Sequence, residues 1–202
     1  AENLPDNYKP YLIRINKEGW FLDKNGAKIP VDRSDFSVEL DGEKIQFENV
    51  FIAIHGTPGE DGKLQAYFDM LGIKYSSSNA LASAITFNKW TCNTILKQNG
   101  YKCAESVILR EKESYTIDEV TSKIEMPCFV KPNKAGSSFG ISKVKTATEL
   151  PIAIEVAYKE DNEIIIESFL DGTEVSVGVI NYKGEITVLP ITEIVSENDF
   201  FD

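Results

Sequence analysis

Phe129-Val130-Lys131-Pro132-Asn133-Lys134-Ala135-Gly136-Ser137-Ser138-Phe139-Gly140-Ile141-Ser142-Lys143-Val144 sets a small-residue loop between two apolar-rich segments. Cys128 to Lys131 and Ile141 to Val144 read as strands, so the loop from Lys131 to Gly140 joins two strands of one sheet. Its two glycines let successive backbone N–H groups turn toward one point, and small serines leave room there, which favours an anion. Phe129 to Lys145 also carries Lys131, Lys134, Lys143 and Lys145 and no acidic residue. Lysines this close attract anions within a Debye length of about 8–10 Å. The same residues also describe a plain surface hairpin with a Gly-Ser tip and solvated lysines. No G-x-x-x-x-G-K-[ST] occurs in the chain, so the loop is not a P-loop. A strand follows it where a dinucleotide fold would place a helix.

Downstream, Ile164-Ile165-Ile166-Glu167 reads as a buried strand ending in a carboxylate, and Glu174 follows seven residues later. Such a pair suits a nucleotide: one carboxylate or a nearby carbonyl accepts from an adenine amino group, the other takes ribose hydroxyls. Both also fit the solvent ends of two ordinary strands.

Upstream, Val50 to Ile54 is an unbroken apolar run, which reads as a strand buried on both faces of a parallel sheet. His55-Gly56-Thr57-Pro58-Gly59-Glu60-Asp61-Gly62 follows, and a helix from Gly62 to Leu71 ends at Gly72. Ligands of open α/β sheets bind outside the carboxyl ends of the strands, where this loop belongs. His55 can orient a substrate carboxylate, move a proton, or simply cap the turn. Asn79 to Gly100 reads as mostly helical, Ile117 to Ile124 as a short helix, and Thr148 to Lys159 as another. Asn181-Tyr182-Lys183-Gly184 is a hairpin turn between Val175–Ile180 and Glu185–Leu189. The order predicts α/β at the start and α+β afterwards, joined near Phe87 to Lys89.

Composition narrows the partners. A net charge of −11 over 202 residues opposes nucleic acid or an anionic membrane at long range. No run approaches the roughly 18 apolar residues of a membrane span. Cys92, Cys103 and Cys128 lack C-x-x-C spacing and read as reduced thiols of a cytosolic protein. With His55 as the single histidine, no zinc site of His and Cys is expected, and no metal ligand is assigned.

Taken together, HGTPGEDGKLQ (His55–Gln65), SAITFNK (Ser83–Lys89), FVKPNKAGSSFGISKV (Phe129–Val144) and IIIESFLDGTEVSV (Ile164–Val177) resemble the D-alanine–D-alanine ligases of the ATP-grasp superfamily. The resemblance runs from about Tyr11 onward and departs from the family pattern at Ala66, Phe139 and Ser168. It implies a partial Rossmann-like substrate-binding domain over 1–88, the small lid subdomain of an ATP-grasp fold over 89–171, and the start of the C-terminal subdomain over 172–202. By position, Lys89 and Lys131 match the lysines that contact ATP phosphates. Ser137 and Ser138 match the loop that closes over them, with Ser137 also in the catalytic hydrogen-bond network. Glu167 and Leu170 match adenine contacts, Glu174 a ribose ligand, and His55 the histidine near the first D-alanine.

The reaction so implied joins two D-alanine molecules through an acyl phosphate formed with ATP. Lysines and N–H groups would stabilise phosphoryl transfer, and loop closure would keep water from the intermediate. The resemblance further implies a cytoplasmic homodimer whose magnesium ligands lie outside this chain. It also implies a chain starting past the family's first strand and stopping before its large domain, hence a fragment inactive alone. A non-catalytic nucleotide-binding module and another ATP-grasp ligase, such as a D-alanine–D-lactate ligase, stand as alternatives.

Overall fold

The computed structural model describes residue 5 and residues 7–136 and 139–195. The first part is an antiparallel meander in the order β1 (Ile13–Asn16), β2 (Gly19–Lys24), β3 (Ala27–Asp32), β4 (Ser37–Leu40) and β5 (Glu43–Ile45). Two of its four hairpins turn at Asn25-Gly26 and Asp41-Gly42, all four residues with positive φ, as such two-residue turns require. Leu22, Val31, Phe36 and Val38 face a core shared with the helix that follows.

Next come β6 (Asn49–Val50), α1 (Lys63–Leu71) and β7 (Lys74–Tyr75), a parallel βαβ unit with Asn49 opposite Lys74 and Val50 opposite Tyr75. Phe68 of α1 meets Phe36 at 4.9 Å between ring centroids, and Tyr67 meets Trp20 at 5.1 Å. These edge-on aromatic pairs fasten the meander to the helix. The expectation of a strand buried on both faces over Val50–Ile54 is corrected: the strand ends at Val50 and Phe51 is 82% exposed. With β7 as the one strand paired to it among the described residues, β6 has no second neighbour to cover that side chain.

The mostly helical stretch from Asn79 to Gly100 is two helices, α2 (Ala80–Phe87) and α3 (Lys89–Gln98), parted at Asn88, which is extended (φ −88°, ψ 100°). Asn88 ends one helix and caps the next, its side-chain oxygen accepting the Thr91 N–H at 2.9 Å.

A second layer is a four-stranded sheet in the order β10-β9-β11-β8, built from β8 (Ser106–Arg110), β9 (Cys128–Pro132), β10 (Ser142–Val144) and β11 (Glu163–Ser168). α4 (Ile117–Thr121) and α5 (Leu150–Tyr158) lie between its strands in sequence. Thr116 and Glu119 close a reciprocal capping box at the start of α4. Val130, Val144, Ile164 and Ile166 pack with Leu150, Ile154 and Ala157 of α5 on one face. Each fully buried aliphatic side chain contributes about 1.5–3 kcal/mol. The opposite face presents Phe129, Lys131, Lys143, Ile165 and Glu167, since neighbours along a strand alternate sides.

The chain then forms β12 (Val175–Ser176), β13 (Val179–Tyr182), β14 (Glu185–Val188) and β15 (Thr192–Glu193). β13 and β14 make the expected hairpin, with Lys183 and Gly184 at φ 53° and 86°.

Candidate functional site

The polar face of the second sheet and the amino end of α3 meet the loops of the first layer. Register places Lys131 opposite Ile165, and Glu167 opposite Phe129, so Lys131 and Glu167 are diagonal neighbours on one face. The Lys131 ammonium donates to Glu167 Oε2 at 2.9 Å and lies 5.1 Å from the centre of the Phe129 ring. Glu167 is 8% exposed; its second oxygen, Oε1, accepts from Asn93 Nδ2 of α3. A buried carboxylate held by two donors is what the cost of an unpaired buried charge demands.

Lys89 opens α3 on the same side. Its ammonium donates to the Ala135 carbonyl at 2.8 Å and the Pro132 carbonyl at 3.1 Å. Burial lowers the Lys89 pKa, and the nearby Lys131 charge lowers it further, with Glu167 and Asp161 opposing. The two ammonium groups thus lie close enough for each charge to disfavour the other.

The hub of the arrangement is Asn133, which is fully buried. Its carbonyl accepts the Lys89 N–H at 3.1 Å and its side-chain oxygen the Trp90 N–H at 2.9 Å. Its amide donates to Asn88 Oδ1 at 3.1 Å and to Glu163 Oε2 at 3.2 Å, and its own N–H to the Glu163 carbonyl at 2.9 Å. The loop after β9, the start of α3 and β11 are thus fixed to one another. Lys134 does not add a free charge to the loop: it pairs with Glu163 at 2.9 Å, and its N–H donates to Asp161 at 2.7 Å. Lys143 lies 5.0 Å from the Phe169 ring centre.

His55 comes from the other layer. Glu60 takes the Gly56 N–H at 2.7 Å with one oxygen and faces His55 Nδ1 at 3.2 Å with the other. That leaves Nε2 pointing at Gly136, where a Cβ would stand 3.3 Å away. The turn needs its glycines: Gly62, at φ +86°, begins α1, and a Cβ there would lie 2.5 Å from the Ala80 carbonyl oxygen. Gln65 is buried behind the turn, donating to the Gly59 carbonyl at 2.7 Å and to Ser77 Oγ at 3.0 Å. Between these parts lies a cleft of about 450 Å³, lined by Glu60, Gln65, Ser83, Lys89 and Gly136 among others.

Lys89, Lys131 and Glu167 therefore come together, and His55 joins them through Gly136. Leu170 and Glu174 are exposed, and among the described residues no side-chain hydrogen bond or ion pair ties them to this group. Ser137 and Ser138 lie outside the described residues. Sequence reasoning missed Asn93, Asn133 and Glu60 as members of the site. Glu60 sits inside the quoted turn and Asn133 inside the quoted loop, whereas nothing local marks Asn93.

Comparison with known proteins bears on the fold and the family. The family described as "D-ala D-ala ligase C-terminus" matches residues 95–202, and "D-ala D-ala ligase N-terminus" matches residues 1–78. A D-alanine–D-alanine ligase of Flavobacterium johnsoniae is 64% identical over 196 residues, 96% of this chain and 61% of that protein. Among solved structures, the VanG D-Ala:D-Ser ligase of Enterococcus faecalis superposes with a TM-score of 0.85 at 30% identity, covering 100% of this chain and 64% of that one. D-alanyl-alanine synthetase A of Vibrio cholerae gives 0.83 at 26% identity, covering 94% of this chain and 57% of that one. This chain spans about 61% of the length of the curated relatives it matches. On both layers of the fold, the chain belongs to the D-alanine–D-alanine ligase family.

Proposed function

We propose that this chain carries the ATP-phosphate grip, the adenine contact and the first-substrate histidine of a ligase that joins two D-alanine molecules at the expense of ATP. The observation that carries the reading is the convergence of Lys89, Lys131 and Glu167 on one side of the sheet, with His55 directed at the same loop. Lys89 and Lys131 neutralise phosphate charge, and the N–H groups around Gly136 complete the cradle. Glu167 accepts from the adenine amino group, the Leu170 backbone adds a second base contact, and Glu174 takes the ribose. Ser137 and Ser138 belong to the segment that closes over the phosphates, with Ser137 also in the catalytic network.

His55, oriented by Glu60, faces the carboxylate of the first D-alanine. The carboxylate attacks the γ-phosphorus of ATP, releasing ADP. The amine of the second D-alanine then attacks the acyl phosphate carbon and releases inorganic phosphate. Keeping that acyl phosphate dry is the work of the closing loop.

No group of three or more His, Cys, Asp or Glu side chains able to hold an ion occurs among the described residues. The ligands of the magnesium that accompanies ATP are assigned to the part of the whole protein beyond this chain. Among the described residues no helix is long and apolar enough to cross a membrane. We assign the whole protein to the cytoplasm as a homodimer. The division at 88/89 and 171/172 is part of the same proposal; the separate buried clusters of the two layers support the first boundary.

The test is phosphate release by the whole protein with ATP and D-alanine, with D-lactate and D-serine as comparators. D-alanine-dependent release with D-alanyl-D-alanine as product supports the reading; ATP hydrolysis without a dipeptide sinks it.

A further inference from the structure

We propose that Asn93 is a positioning residue that holds the Glu167 carboxylate for a 6-aminopurine and so contributes to selection of ATP over GTP. The inference rests on the nucleotide role given above to Glu167 and Lys131. Asn93 stands four residues after Lys89 on α3, one helical turn along the same face. One helix thus delivers a phosphate-facing lysine and an amide that reaches the base-facing carboxylate.

The geometry of Glu167 explains why the amide matters. A carboxylate turns easily about its last side-chain bond, because that torsion has a broad profile. Here two donors from different elements fix it: Lys131 of β9 on Oε2 at 2.9 Å, and Asn93 of α3 on Oε1. A carboxylate only accepts, so the Asn93 side chain must present its NH₂ group. An ionised carboxylate has about four acceptor positions, which leaves room for one more donor.

When phosphates arrive, they compete with Glu167 for the Lys131 ammonium. Asn93 carries no charge and stays where it is. It then becomes the contact that keeps Glu167 aimed. An adenine amino group donates to a carboxylate so held. The guanine 6-oxo group at the same place only accepts, and two acceptors face each other without a proton. A site built for a donor rejects an analogue lacking it far more sharply than an apolar pocket does. A loosely held carboxylate can swing aside and admit either base.

The experiment is titration of ATP and of GTP into the whole protein, comparing the wild type with Asn93→Ala, Asn93→Gln, Lys131→Ala and Glu167→Gln, with melting temperatures recorded for each. Asn93→Ala is expected to weaken ATP about tenfold, leave GTP within about twofold, and so collapse the ATP-to-GTP ratio. Asn93→Gln keeps an amide donor and is expected to restore most of that ratio. Asn93→Ser carries the same comparison if Asn93→Ala does not fold. Equal losses for ATP and GTP in Asn93→Ala, or no loss in either, overturn the proposal. If that happens while Glu167→Gln still weakens ATP, the nucleotide role of Glu167 stands without Asn93. Unchanged ATP binding in both Lys131→Ala and Glu167→Gln overturns the nucleotide reading, and this inference with it.

Discussion

The side-chain oxygen of Asn133 accepts the backbone N–H of Trp90 at 2.9 Å, fastening the loop after β9 to the first turn of α3. The same side chain also donates to Asn88 Oδ1 and Glu163 Oε2. Because Asn133 is fully buried, Asn133→Ala leaves the Trp90 N–H without its acceptor and removes the donor to Asn88 Oδ1 and Glu163 Oε2. A loss of about 2–4 kcal/mol is expected, read from urea unfolding at constant slope. Asn133→Asp should do no better, since it turns an oxygen toward Asn88 Oδ1 and Glu163 Oε2.

How much of this was legible beforehand depends on how local each cause is. The Lys183-Gly184 turn, the end of α1 at Gly72 and the buried strand that carries Glu167 depend on neighbours a few residues away, and all appear as expected. The meander is legible in the chain as well: Asn25-Gly26 and Asp41-Gly42 are two-residue hairpin signals. Phe51 misled because an apolar run reports hydrophobicity, not the number of strands available to cover it. Asn93 and Asn133 act across 74 and 43 residues of sequence, and an exposed asparagine has the same letter.

Glu60 is expected to matter through His55, whose Nδ1 it faces at 3.2 Å. Glu60→Ala frees the imidazole to turn and leaves the Gly56 N–H without its carboxylate. If His55 meets D-alanine, the Michaelis constant for D-alanine should rise about tenfold, as expected for a lost charge-assisted hydrogen bond, with that for ATP nearly unchanged. Equal rises in both would remove His55 from the D-alanine site.

Tyr158 offers a stability gain. Its hydroxyl is buried and has no hydrogen-bond partner among the described residues. Tyr158→Phe removes the orphan and keeps the ring packed against the buried cluster of the second layer. About 1 kcal/mol of stabilisation is expected, which for a chain of this size is a rise of about 2–4 °C in Tm. A fall in Tm would show that the hydroxyl finds a partner in solution.

Cys128 makes the fold sensitive to alkali. Burial raises its thiol pKa from the usual 9.0 to about 11. The native thiol stays protonated while the unfolded one ionises, so the unfolded chain binds fewer protons between those values and stability falls as pH rises. Across two pH units the loss approaches about 2–3 kcal/mol. Unfolding curves at pH 8, 9.5 and 11 should show it, and Cys128→Ala should flatten that part of the profile. Tyr158, pushed up to about 12 mainly by burial, adds the same trend only above pH 10.

Lys131→Ala separates the structural role of the Lys131–Glu167 pair from the nucleotide role proposed for it. Removing the ammonium leaves a nearly buried carboxylate with Asn93 as its remaining hydrogen-bond donor among the described residues. A stability loss of about 1–3 kcal/mol follows from that alone, and Lys131→Gln should recover part of it because its amide can still donate. Phosphate binding needs charge, which Gln lacks. In the whole protein both variants should therefore raise the Michaelis constant for ATP and lower turnover, Lys131→Gln included. If Lys131→Gln restored ATP kinetics together with stability, the ammonium would be serving Glu167 and not the phosphates. A variant as stable as the wild type but still poor with ATP would place the charge of Lys131 on the nucleotide.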